Sequence, residues 1–153
     1  MLNVVLYQPE IPHNTGAIGR LCLATGARLH LIQPLGFSLE DKHLKRAGLD
    51  YWQEVDVHVW DHWQALVDHI DPQAELFFIE CGGETLHWDA PLACAEVYLV
   101  FGPETRSIPP SVLDPARCLH IPMQGTRSLN LATAAGIVMY ETLRQQTRAG
   151  IVS

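Results

Sequence analysis

Three short stretches of this 153-residue chain carry residues suited to binding or group transfer. "PEIPHNTGAIGR" (9–20) joins Asn14 and Arg20 to a glycine pair, Gly16 and Gly19. "GPETRSIPPSVL" (102–113) sets an acid, Glu104, in a turn bounded by glycine and proline, directly after the apolar run "AEVYLVF". "IPMQGTRSLNLATA" (121–134) brings Arg127, Ser128 and Asn130 to the front of an apolar helical pattern. A guanidinium grips phosphate and stabilises a developing oxyanion, but it is a poor general base because it keeps its proton at any working pH. Glycine- and proline-bearing turns expose main-chain N–H and C=O groups, which an adenine edge needs, between apolar walls. Each stretch also has a plain structural reading. Asn14, Ser128 or Asn130 serves as a helix N-cap, Gly102 as a turn, and Arg20 as a surface ion-pair partner.

Several specific chemistries are excluded. Gly16 and Gly19 form G-x-x-G, which is neither a G-x-G-x-x-G dinucleotide fingerprint nor a phosphate loop, since no Gly-Lys-Ser/Thr follows. An RNA clamp of the KH type carries polar central residues, whereas Ala17 and Ile18 are apolar. His58 and His62 are four apart, but Val55, Val57 and Val59 alternate as in a strand, so the histidines fall on different elements and no metal site is expected.

The elements that position these loops alternate. Segments 2–7, 28–32, 54–60, 75–80, 96–101 and 117–121 read as strands, rich in β-branched and aliphatic residues. Helical spacing covers 14–25 and 129–146, and Asp61 reads as the N-cap of a helix that ends before Pro72. The alternation predicts an α/β fold: a mostly parallel sheet with helices on both faces, in one domain over 1–153. Ligands of such sheets bind at the strands' carboxyl ends, where all three loops fall. The formal net charge of −7 argues against coating nucleic acid by bulk electrostatics, so contact with it must rely on a local basic cluster. Lys42, Lys45 and Arg46 supply one on a single helical face, joined by Arg20, Arg127 and Arg144; the alternative is a solvated face. Cys22, Cys81, Cys94 and Cys118 show no C-x-x-C spacing and read as reduced thiols. With no signal-like start and no apolar stretch of membrane-spanning length, a cytoplasmic protein is expected.

The conjunction of N-x-G-x-x-x-R, F-G-P-E-x-x-x-I-P and I-P-M-x(4)-S-L-N-L-A, in that order, resembles the SPOUT superfamily of methyltransferases. The start "LNVVLYQPEIPHNTGAIGRLC" and the stretch "DKHLKRAGLDYW" look like the TrmL (YibK-type) tRNA 2′-O-methyltransferases, which modify the wobble nucleotide 34 of leucine tRNAs. The resemblance spans essentially the whole chain. It implies a C-terminal deep trefoil knot, a homodimer, no appended RNA-binding domain, and S-adenosylmethionine as methyl donor. By matching position it implies cofactor contacts from Ile79, Gly102, Glu104, Ile121, Ser128, Leu129 and Asn130. It also implies catalytic roles for Arg20 and Asn14, with Tyr140 touching the substrate. Lys42, Lys45, Arg46 and Arg127 would then bind tRNA. Small and apolar residues of the last helix (Ala132, Ala134, Ala135, Gly136, Val138) suggest close packing against a second copy. Ser107 and Ala17 depart from relatives that carry glycine and asparagine there, leaving the loop's shape and a polar contact open. Two other readings remain: a ribose methyltransferase for another tRNA or rRNA site, and a non-catalytic nucleotide- or RNA-binding module.

Overall fold

The computed structural model describes residues 1–80 and 82–151. Its elements are β1 (Leu2–Tyr7), α1 (Pro12–Thr25), β2 (Arg28–Ile32), α2 (Lys42–Ala47), β3 (Val57–Trp60), α3 (Trp63–His69), β4 (Glu75–Ile79), β5 (Thr85–Leu86), β6 (Val97–Phe101), β7 (Cys118–His120) and α4 (Leu131–Arg148). The strands form one sheet in the order β3-β2-β1-β6-β4-β7-β5, and every pairing is parallel. Central strands buried on both faces need unbroken apolar runs, and all residues of β1 and β6 are indeed buried. Val4, Leu6, Leu29, Leu99 and Phe101 point to one core with α1 and α4; Val5, Tyr7, Ile32, Tyr98 and Val100 point to the other with α3.

The strand expected over 54–60 starts only at Val57, because Leu49–Glu54 turn as a 3-10 helix that packs on α1. Asp61 does not cap α3; His62 is extended at φ −160° and its Nδ1 accepts from Ala65 N–H at 3.2 Å. His58 lies on β3, so the two histidines do fall on different elements. Cys22 and Cys118 are buried, and burial pushes the Cys22 thiol up to about 12; Cys81 lies outside the described residues. Among the described residues no helix is long and apolar enough to cross a membrane.

The G-x-x-G pair is explained by packing. A Cβ on Gly16 would stand 2.2 Å from the Leu44 carbonyl of α2, and one on Gly19 would meet the Trp52 ring at 2.6 Å. The glycines therefore let α2 and the 3-10 segment lie directly on α1. Gly16→Ala should destabilise the fold by about 2 kcal/mol in chemical denaturation, although alanine favours an isolated helix by about 1 kcal/mol. A stabilised variant would show that the contact is not a constraint.

One buried polar cluster ties the sheet edge together. His30 is 2% exposed; Trp60 Nε1–H donates to its Nδ1 at 3.0 Å, so its Nε2–H donates to Asn3 Oδ1 at 2.9 Å. Asn3 in turn donates to Glu96 at 2.9 Å. Burial, then the neighbouring His58, His69 and Arg28, hold the His30 pKa down to about 3. Because the unfolded chain takes up this proton near pH 6.5, the neutral form stabilises the fold above that value. Stability should decline as pH falls from about 6.5 towards 3, by on the order of 3 kcal/mol. His30→Gln should flatten the upper part of that decline, pH 5–6.5, in urea titrations.

Candidate active site

α1 begins without a cap of its own. Its N-cap residue is Ile11, whose side chain accepts nothing, and Asn14 sits inside the first turn instead of capping it. The missing acceptor comes from the loop after β6. Glu104 Oε1 accepts from Glu10 N–H at 2.8 Å, and its Oε2 accepts from Ile11 N–H at 2.9 Å and Asn14 Nδ2–H at 3.2 Å. A carboxylate at a helix N-terminus also meets the positive end of the helix dipole. Glu10 reciprocates, accepting from the backbone N–H and the hydroxyl of Thr105 at 2.8 Å each. These bonds hold the Glu10 carboxyl below the usual carboxylate range.

The chain of contacts continues to the third loop. Asn130 Nδ2–H donates to Asn14 Oδ1 at 3.0 Å, and Asn130 Oδ1 caps α4 by accepting from Thr133 N–H at 3.2 Å. Asn14, 5% exposed, is thus the middle of a relay from Glu104 to Asn130. All three loops lie at the carboxyl ends of β1, β6 and β7, where parallel sheets bind ligands.

Between them is a cavity of about 530 Å³, within the range of small-molecule sites. Its apolar walls include Ile79, Phe101, Ile121, Met123 and Leu129, and its polar groups converge from Asn14, Glu104, Ser128 and Asn130. All seven residues expected to touch a cofactor line it, as do Asn14 and Arg127. Gly102 cannot bear a side chain here: a Cβ would stand 2.8 Å from Ile108 Cγ1. Ser107 sits in this loop without positive φ, so it needs no glycine. Apolar walls, main-chain groups left open by a glycine, and a few fixed polar atoms suit an adenine nucleoside.

Arg20 and Tyr140 are not brought to this cavity. Arg20 is exposed on α1, its guanidinium 5.8 Å from the centre of the Tyr51 ring. Tyr140 is 48% exposed on α4. Lys42 and Arg46 are exposed on α2, while Lys45 pairs with Glu40 at 2.8 Å. The small residues of α4 largely serve the chain's own fold: Ala135 and Val138 are core, and Gly136 faces Leu21 of α1. The exposed apolar groups on those helices are instead Leu23, Ile137 and Tyr140. Arg106 and Glu80 also line the cavity, beyond the residues that the motifs mark. The signal for Arg106 was present, an arginine two residues after Glu104 in a loop at a strand's carboxyl end.

A parallel sheet with a cavity of small-molecule size, walled by loops at the carboxyl ends of its strands, defines an α/β protein of the ligand-binding kind. The chain belongs to the SpoU rRNA Methylase family, which it matches over residues 1–140. It is 46% identical over 156 residues to the tRNA (cytidine(34)-2′-O)-methyltransferase of Escherichia coli K12, covering 99% of this chain and 98% of that one. A putative enzyme of the same name from Bacillus subtilis strain 168 is 48% identical over 150 residues, covering 95% and 93%. Among solved structures, one described as "Structural insights into the 2-OH methylation of C/U34 on tRNA" superposes with a TM-score of 0.90 at 47% identity, covering 97% of each chain. A putative RNA methyltransferase from Bacillus anthracis gives 0.88 at 46% identity, covering 98% and 97%.

Glu104→Gln tests the cap. An amide keeps one acceptor oxygen but turns an NH₂ toward a backbone donor, leaving it unpaired. The expected cost is about 1–3 kcal/mol in stability and a loss of adenosylmethionine affinity of tenfold or more by calorimetry. Wild-type affinity would mean that the clasp does not shape the cavity.

Proposed function

We propose that this protein transfers a methyl group from S-adenosylmethionine to the ribose 2′-OH of wobble nucleotide 34, cytidine or modified uridine, in leucine tRNAs. One observation carries the reading. The cavity is walled by all three loops, in a chain 46% identical end to end to an Escherichia coli enzyme named for this reaction.

The donor supplies an already activated methyl, so the sulfonium–carbon bond breaks as the 2′-oxygen–carbon bond forms and the hydroxyl proton leaves. The residues of the chain bind, orient and neutralise. Ile79, Ile121 and Leu129 exclude water from the nucleoside, and Gly102 admits it to the main chain. Glu104, Asn14 and Asn130 keep the three loops in register. Arg20, which stays charged, grips the phosphate beside the target ribose and stabilises the developing alkoxide; the phosphate or a water takes the proton. The apolar groups Leu23, Ile137 and Tyr140 on α1 and α4 support a homodimer. Arg20 and Tyr140 are exposed on those same two helices and would stand near such an interface. The C-terminal knot and the one-domain organisation belong to the same proposal. Lys42, Lys45, Arg46 and Arg127 give an acidic protein its local hold on tRNA.

Nucleoside mass spectrometry of total tRNA incubated with the protein and donor should show a 2′-O-methyl gain confined to position 34 of leucine tRNAs. A gain elsewhere, or in rRNA, would redirect the assignment, and binding without transfer would favour a non-catalytic module. Arg20→Lys keeps the charge but loses the planar fork. It should slow single-turnover transfer at saturating tRNA and donor by about 10²-fold; a near-wild-type rate would remove Arg20 from the chemistry.

A further inference from the structure

We infer that Arg106 is a second phosphate-gripping residue, at the cavity mouth, holding the RNA backbone next to the phosphate assigned to Arg20. The inference rests on the reading of the cavity as a methyl-donor site that faces RNA. Among the described residues, two arginines stand in the lining, Arg106 and Arg127. The lining carboxylates are already engaged by backbone donors: Glu80 Oε2 accepts from Ile108 N–H at 3.0 Å, and both Glu104 oxygens accept from the first loop. Glu10, the acid nearest Arg106, binds Thr105 through both oxygens and lies 4.0 Å from Arg106 Nε. Arg106 therefore meets Glu10 only at the long end of ion-pair range, through Nε, and shares that carboxylate with Thr105. Its two terminal nitrogens straddle Gln8 Oε1 at 3.3 Å each, a neutral acceptor at long range that orients the fork without neutralising it.

Gln8 itself is unusual. Among the described residues it alone combines a side chain with positive φ, at 47°. A left-handed glutamine is disfavoured, and such positions gather at ligand sites. Here it follows β1 directly, and its side chain meets the loop after β6. Arg106 remains 54% exposed at the side chain, so the donors not facing Gln8 are open to an incoming anion. In a chain of net charge −7, RNA can come close only where cations stand. A planar fork at the cavity's edge suits a phosphodiester there, while Arg20 stands outside this cavity beside Tyr51 and serves a separate contact.

The test is fluorescence anisotropy of a leucine tRNA transcript against salt, with adenosylmethionine affinity measured in parallel by calorimetry. Arg106→Ala should weaken tRNA binding about tenfold near 0.1 M salt and lower the log–log salt slope by about one. Donor affinity should stay within about threefold of wild type. Arg106→Lys should keep the slope yet raise the KM for tRNA. Gln8→Gly, which tolerates the backbone angle and removes the orienting carbonyl, should also raise that KM with the slope unchanged. A wild-type slope for Arg106→Ala would overturn the inference. So would a loss of donor affinity as large as the loss of tRNA affinity, which would make Arg106 a brace of the loop. If the wild-type protein binds neither donor nor tRNA, the functional reading itself fails, and the inference with it. If it binds both and Arg106→Ala is silent, only the assignment of Arg106 fails.

Discussion

The site depends on one substitution of parts: a carboxylate from residue 104 does the capping that the start of α1 lacks. Helix N-termini leave several N–H groups without intrahelical partners, and a buried or half-buried end must find acceptors elsewhere. Here the acceptor belongs to a loop more than ninety residues away in sequence, so satisfying the helix end also docks the loop. Asn14 then passes the constraint to Asn130, which caps α4. A single hydrogen-bonded line therefore fixes two helix starts and three loops around one cavity. Preorganisation of this kind lets a site bind its ligand without paying to order its walls.

The polar residues fall into two groups. Glu104, Asn14 and Asn130 face one another and form the frame of the cavity. Most of the cations stand apart from that frame, Arg20 on Tyr51, Lys45 on Glu40, Lys42 and Arg46 on the open side of α2, while Arg106 and Arg127 stand at the cavity lining. An acidic protein that handles RNA benefits from this arrangement, because Glu80 and Glu104 in the cavity lining are engaged by N–H donors. Gly16 extends the same logic: by omitting a side chain it lets the basic helix α2 rest on α1, whose first turn belongs to the site.

Much of the sheet was legible in the sequence because strands buried on both faces must be continuous apolar runs, as β1 and β6 are. The two-residue β5 was not, since only pairing with β7 defines it. The strand before Trp60 read too long because Val55 fits a strand equally well, and the packing of Trp52 on Gly19 is a tertiary contact. The meaning of G-x-x-G was hidden for the same reason. Cavity-lining residues emerged through motif resemblance, not periodicity: Ile79 and Ile121 are indistinguishable from core by pattern alone. Glu104 is legible as an acid in a turn, but its partners across the fold are set by tertiary contacts and not by local sequence. Arg106 has no place in the motif, and its setting depends on Gln8, whose positive φ no local pattern announces.

The relay from Glu104 through Asn14 to Asn130 is tested most directly by a double-mutant cycle on its two ends, Glu104→Gln and Asn130→Ala, read as adenosylmethionine affinity by calorimetry. The two residues are joined through Asn14. A continuous relay predicts that the second change costs less once the first is made, with a coupling of about 0.5 kcal/mol or more. Losses that add to within about 0.3 kcal/mol would mean that the loops are held independently, and would contradict the account.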